Sequence, residues 1–324
     1  MKNIIFKPLA FESLGVRSMA STVITPDLKI LIDPGASLGI RFGLLPHPEE
    51  YRIRSKLRKL ISEEVKEADI ITISHYHQDH YTPNYVENIL VGSNPEEARH
   101  IVQDKVLIIK DYRSNTNVSQ RKRGWFFKRF ATRYAKKILT ADGNEFQFGS
   151  TILKFSQPVL HGEASSGLGW VVMLTITYDE EKITFASDIQ GPIVETNLNT
   201  ILNEKPELLI LGGPPLYLKG NKLKNKSLEN AKKNILKISE KIPTTIIDHH
   251  LMRSSDCIDF LLPARSVAQS KGHTLQSAAE FTFIKNRLLE SKREELYNIK
   301  PPSSEFLAWT KLPKEKQRLQ PPPI

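Results

Sequence analysis

The chain has 324 residues, 40% of them hydrophobic and 25% charged, with 16 Gly and 20 Pro. This composition excludes a wholly disordered or fibrous protein, and the longest apolar runs, ADIITIS and ELLILGG, fall short of the ~18 residues of a membrane span. Lys and Arg number 46 against 36 Asp and Glu, a net charge of +10 that favours an anionic partner.

In chain order, IIFKPLAFE, STVITP and KILID read as three strands, the last two joined by a turn at Pro26 and Asp27. Asp33-Pro34-Gly35 opens a Gly- and Pro-rich loop through His47, after which Ile53, Leu57, Leu60, Ile61 and Val65 mark one stripe of a helix. A buried strand from Asp69 to Ser74 leads into HYHQDHYTP, and KVLIIKD is the next strand. Residues 121–137, RKRGWFFKRFATRYAKK, hold eight basic residues, five aromatic ones and no acid, and read as a helix after Gly124. Without this segment the chain carries 38 basic residues against 36 acidic ones, so the excess charge belongs to one element.

The second half contributes the strands EFQFG, TILKFSQPVLH, GWVVMLTITYD and KITFASD, then ELLILGGPP and TTIIDHH separated by a helix over 227–241. A helix is expected from about Leu275 to Leu296. Strands alternating with helices in two halves imply sheet layers covered by helices. Residues 1–300 are read as one domain with a basic helical insertion near 119–138, and 301–324 as a loose Pro- and Lys-rich tail. The N-terminus has no long apolar core before a cleavage site, so no signal peptide is expected. The lone Cys257 allows no intrachain disulfide, which makes a reducing cytoplasm the default location.

His75, His77, Asp79 and His80 form an H-x-H-x-D-H motif directly after a buried strand. Imidazole and carboxylate are the ligands Zn²⁺ takes, and Fe or Mn²⁺ accept the same set. Four ligands in so short a stretch are too many for one ion that keeps an open position, and they suit two adjacent divalent ions completed from elsewhere. His161, Asp188 and the His249-His250 pair each follow a strand and supply that completion, since a sheet presents its strand ends to a common edge.

The order D-P-G, H-x-H-x-D-H, a His after a strand, S-D after a hairpin and a late His resembles the metallo-β-lactamase superfamily over residues 10–255. GPPLYL, IDHHLMRS and HGEASSG look most like an archaeal branch of its metal-dependent hydrolases. The resemblance implies an αββα sandwich, two mixed sheets flanked by helices. It also implies that His75, His77 and His161 hold one ion, that Asp79, His80 and a late His hold the other, and that Asp188 bridges them. Asp33 would order the metal loop from behind. Strand alternation lets one of His249 and His250 face the metals, and His249 is favoured.

Two adjacent ions lower the pKa of a shared water towards ~7, so that hydroxide is available to attack a phosphoryl or carbonyl centre. Asp79 would orient it, and the spare late His or Glu163 would assist the leaving group. His77 stands where related redox di-iron proteins carry Glu, which disfavours an oxidase. Phe126, Phe130 and Tyr134 recur at helical spacing, so the basic segment reads either as a helix packing its aromatics on the core or as an anion funnel. In the second case Arg121, Lys122, Arg123, Lys128 and Arg129 contact phosphates, Trp125 or Phe127 stacks on bases, and Arg253 binds a phosphate beside the metals. The leading expectation is a binuclear hydrolase of a phosphodiester or other phosphorylated anionic substrate, small molecule or nucleic acid. The alternatives are a hydrolase of an ester, lactone or thioester, and a non-catalytic metal-containing protein that binds nucleic acid.

Overall fold

A computed structural model describes residues 1–220 and 223–324. The first half runs β1 (Ile5–Phe11), β2 (Met19–Ile24), β3 (Lys29–Ile32), α1 (Pro48–Glu67), β4 (Ile70–Ile73), α2 (Pro95–Val102), β5 (Val106–Ile109), α3 (Val118–Ala131) and β6 (Lys137–Thr140). Its strands form one sheet in chain order, antiparallel from β1 to β3 and parallel from β3 to β6.

The second half runs β7 (Glu145–Phe148), β8 (Thr151–Phe155), β9 (Val159–Leu160), β10 (Trp170–Val171), β11 (Leu174–Tyr178), β12 (Glu181–Phe185), α4 (Glu195–Glu204), β13 (Leu208–Leu211), α5 (Asn225–Lys241), β14 (Thr244–Ile247), α6 (Cys257–Ser270) and β15 (Thr274–Gln276). The second sheet has the order β15-β14-β13-β12-β11-β8-β7, and β12 to β15 are parallel. The short β9 and β10 pair separately. Helices α7 (Ala278–Phe281), α8 (Arg293–Ile299), α9 (Ser304–Thr310) and α10 (Lys314–Leu319) close the chain.

Side-chain alternation along the central strands builds three apolar layers at once. Ile30, Ile32, Ile210 and Ile246 fill the layer between the sheets together with Phe155 and Phe185. Their neighbours Leu31 and Ile71 face α1 to α3 on one side, and Leu209 and Ile247 face α4 to α6 on the other. Strands buried on both faces read as continuous apolar runs, as ADIITIS and ELLILGG do. The result is the expected αββα sandwich.

Two C-terminal expectations are corrected. The helix anticipated from Leu275 to Leu296 is instead β15, the short α7 and a non-helical stretch before α8. Leu275 pairs with Thr245, so this segment extends the parallel sheet, and the Asp248 carboxylate accepts the Ala278 N–H at 2.9 Å. The tail is ordered as well. Phe306 and Trp309 of α9 are buried edge-on against Tyr51 of α1, and Gln317 of α10 donates to the Trp309 and Thr310 carbonyls. The Pro and Lys content of 301–324 masks these three anchors.

Candidate metal centre

Every expected ligand lies just beyond the C-terminal end of a strand: Asp33 after β3, the H-x-H-x-D-H motif after β4, His161 after β9, Asp188 after β12, and His249 with His250 after β14. Strands of both sheets, together with the separate β9–β10 pair, thus deliver their loops to one edge. Three of the delivering turns use left-handed backbone at non-glycine residues: Asp33 (φ 47°), Ser187 (φ 59°) and His249 (φ 47°). Such conformations cost about 1–3 kcal/mol each and persist where the surroundings over-determine them. Gly35 serves close approach, since a Cβ there would lie 2.3 Å from the Tyr81 nitrogen behind the motif.

Four groups of side chains each bring one ligand atom per residue within 4.8 Å of one another. They are His75, His77, His161 and Asp188; Asp33, His75 and His80; Asp79, His80 and His249; and Asp188, His249 and His250. Asp188 Oδ2 lies 2.9 Å from His161 Nε2, 3.4 Å from His249 Nε2 and 3.7 Å from His80 Nε2, a central position between the two histidine sets. His249 shares a group with Asp79 and His80. His250 places Nε2 at 3.0 Å from Asp188 Oδ1, and its Nδ1 is 2.8 Å from the Tyr217 hydroxyl, whose ring stacks on it.

Hydrogen bonds fix which imidazole nitrogens are free. Asp33 Oδ1 accepts Ser74 N–H (2.7 Å), while Oδ2 accepts Ser74 Oγ–H (2.5 Å) and faces His80 Nδ1 (2.8 Å). Ser187 Oγ donates to Ser74 Oγ at 2.7 Å. Ser74 Oγ therefore remains an acceptor for His75 Nδ1–H at 3.0 Å. Both rings then carry their proton on Nδ1, and the Nε2 atoms of His75 and His80 are buried without a hydrogen-bond partner among the described residues. Buried, lone-pair-bearing imidazole nitrogens beside carboxylates are the donor set a divalent cation satisfies.

The electrostatics agree. Burial, with the neighbouring His80, His77 and His161, holds His75 well below the usual imidazole range. Burial and His161 take His77 down to about 3, burial and Arg253 take His249 to about 3, and burial takes His250 to about 4 against the pull of Asp188. Burial opposes ionisation of Asp79 and Asp188, yet the surrounding histidines hold both below the usual carboxylate range. His80 is the exception: burial is outweighed by the nearby Asp188 and Asp33 carboxylates, which push it up to about 10, so an ion taking its Nε2 would displace a proton there. Neutral imidazole and ionised carboxylate are the ligating forms.

The centre opens into a cleft of about 400 Å³ lined by Arg17, Arg123 and Arg253, whose only acids are Asp79 and Asp188. Arg253 is buried, with Nε 3.0 Å from Glu12 Oε2, Nη1 3.4 Å from the Tyr217 oxygen and Nη2 3.4 Å from Asp79 Oδ2. Arg17 is held bidentate by Glu290, both contacts 2.6 Å. Arg123 donates to the Tyr76 carbonyl at 3.0 Å and has no acidic partner among the described residues. Ser37 to Ile40, from the loop after Gly35, also line the cleft, with Gly39 packed against the Arg17 guanidinium.

Of the other expected substrate contacts, Arg121, Lys122 and Arg129 lie exposed on the outer side of α3, and Lys128 sits 5.8 Å from the Tyr112 ring centroid. The expected aromatic stripe is corrected: α3 buries Gln120, Gly124, Phe127, Phe130 and Ala131, and leaves Phe126 outside. Helix α3 also begins before Gly124, at Val118 behind an Asn117 cap. Glu163 does not line the cleft; it accepts a hydrogen bond from the Ser227 hydroxyl on α5. Tyr217, Ser74, Ser187, Glu12 and Arg17 are functional neighbours that sequence reasoning missed.

Fold and site together define a member of the β-lactamase superfamily, and residues 16–151 match its β-lactamase superfamily domain. The chain belongs to the UPF0282 family: it is 39% identical over 290 residues to the UPF0282 protein of Methanopyrus kandleri (89% of this chain, 97% of that one). It is also 42% identical over 293 residues to that of Sulfurisphaera tokodaii (90% and 92%). Two solved structures share the fold at low identity. CmlA, a diiron β-hydroxylase from Streptomyces venezuelae, superposes with TM-score 0.52 at 13% identity, covering 86% of this chain and 53% of CmlA. Unliganded yeast PDE1 superposes with TM-score 0.50 at 11% identity, covering 86% and 97%. No helix among the described residues is long and apolar enough to cross a membrane.

Proposed function

We propose that this protein is a binuclear metal-dependent hydrolase of a phosphorylated, anionic substrate. His75, His77 and His161 would hold one ion and Asp79, His80 and His249 the other, with Asp188 between them. The all-nitrogen-and-carboxylate set suits Zn²⁺ best, with Fe and Mn²⁺ as alternatives. Two such ions would supply a Lewis-acidic centre that polarises a phosphoryl oxygen and makes water nucleophilic near neutral pH. His250 orients rather than ligates: its Nδ1 accepts from Tyr217 and its Nε2–H is directed at Asp188. Asp79 is positioned by Arg253 to orient the attacking water.

The observation that carries the substrate class is the cleft wall, three arginines with no carboxylate outside the metal cluster. Arginine forks match phosphate oxygens bidentately, and Arg123 is free to do so. The test pairs elemental analysis with hydrolysis of bis(p-nitrophenyl) phosphate, with and without chelator. About two ions per chain and chelator-sensitive turnover that Asp79→Ala abolishes are expected. Two ions with lactone or thioester turnover and no phosphodiester turnover would replace the phosphoryl substrate by a carbonyl one. Failure to bind metal after reconstitution would overturn the reading.

A further inference from the structure

We infer that the outer face of α3 is a platform for single-stranded nucleic acid that leads into the cleft, so that the substrate of the metal centre is a polynucleotide. The platform stands on its own observations; the substrate half rests on the hydrolase reading above. Helix α3 turns its apolar side inward through Phe127, Phe130 and Ala131. Its outer side presents Arg121, Lys122, Trp125, Phe126 and Arg129, and the turn after it adds Arg133, all exposed. Trp125 is 39% and Phe126 49% exposed, their rings meet edge to face at 4.8 Å, and the Arg129 guanidinium lies 5.2 Å from the Trp125 ring centroid. Two large rings are thus held at the surface amid cations rather than buried.

None of Arg121, Lys122, Arg123, Lys128, Arg129 and Arg133 has an acidic partner within 4.0 Å among the described residues, although the chain has 36 acids. Unpaired cations in a row attract a row of phosphates, and a ring between them offers a base a face to stack on. Arg123 extends the row inward: it lines the cleft and is bonded to Tyr76, the residue between His75 and His77. A membrane-binding helix needs a broad apolar face, and the broad apolar face of α3 is already in the core. Duplex bases are stacked on one another, so exposed rings select unpaired ones.

The test is fluorescence anisotropy of fluorescein-labelled oligouridylate and oligothymidylate of about twelve nucleotides, within the usual ~4–16-nucleotide span. It uses the full chain in chelator, so that binding is read without cleavage. Saturable binding is expected, weakened about 10-fold or more by Trp125→Ala with Phe126→Ala. Arg121→Glu with Lys122→Glu should also lower the slope of log K against log salt by about 1.4. A circular-dichroism melt confirms that each variant folds.

Binding that is absent at low salt, or untouched by both pairs of substitutions, would overturn the platform. So would loss of binding to phosphatidylserine vesicles in the same variants while the oligonucleotides bind unchanged, which would assign the face to a membrane. A chain that binds strands but releases no nucleotide when loaded with metal keeps the platform and overturns the polynucleotide substrate; the hydrolase reading falls with it only if bis(p-nitrophenyl) phosphate is also left intact. A chain that cleaves the small phosphodiester and ignores strands does the reverse.

Discussion

Asp33 does not line the cleft and yet fixes the candidate ligands, because its carboxylate accepts from Ser74 twice and faces His80 Nδ1. Replacing it with Ala frees the His80 ring and unseats the Ser74 contact to His75, so Asp33→Ala should retain metal about 10–100-fold less tightly. Competition against a chromogenic chelator measures this. Arg253 has a different weight: burial pushes Glu12 up to about 8 even beside it, so its removal leaves a buried carboxyl without its hydrogen-bond partner, and Arg253→Ala should cost about 1–3 kcal/mol in urea unfolding. Arg253→Ala with Glu12→Leu should recover part of that loss, since the unpartnered buried carboxyl is gone. The H-x-H-x-D-H cluster was legible because its chemistry is local in sequence. Glu12 was not, because it meets Arg253 across 241 positions, and no pattern within either segment encodes the pairing.

The same contrast holds for elements. Strands buried on both faces announce themselves as apolar runs, and the strands that deliver ligands were readable except β9, which TILKFSQPVLH merges with β8 into one strand. Periodicity failed on α3, where aromatics occur on more sides than one helix face can bury. Phe126, Phe130 and Tyr134 fit a stripe as well as Gly124, Phe127 and Ala131 do. What decides is Gly124: a Cβ there would lie 2.5 Å from Tyr112 Cβ and 2.6 Å from Tyr76 Cε2, so this is the face pressed on the motif. Gly124→Ala should therefore cost about 1–3 kcal/mol by overpacking. Phe127→Ala should cost about 3–5 kcal/mol, and Phe126→Ala no more than about 0.5 kcal/mol. Denaturant melts of the three variants separate the two faces, and equal losses for Phe126 and Phe127 would reverse the orientation. The tail was misread for a related reason, since three buried side chains in a Pro- and Lys-rich stretch do not shift its composition.

Across the whole molecule, beyond the apolar layer between the sheets and the Arg253–Glu12 pair, two further sets of interactions join the halves, and they respond to different variables. Glu290, from the segment before α8, is buried against Arg17; burial opposes its ionisation, but the Arg17 charge and hydrogen bonds outweigh it and take it from an ordinary 4.5 down to about 2. A folded value below the unfolded one means that this stabilisation is present above 4.5 and is lost as pH falls towards about 2. Glu290→Gln should therefore lose less stability than the parent chain between about pH 5 and 3 in urea titrations. The candidate metal centre would be the second joint, because His75, His77, Asp79 and His80 hang from one sheet and Asp188 and His249 from the other. An ion that binds only the folded arrangement stabilises it by about 2.7 kcal/mol at a hundred times its dissociation constant. Chelated protein should accordingly melt lower than metal-loaded protein, with a midpoint that climbs with free Zn²⁺. Asp33→Ala should shift that climb to higher concentration without changing the chelated midpoint's independence of zinc. A melting curve indifferent to both chelator and zinc would mean that the two sheets are not joined through these ligands.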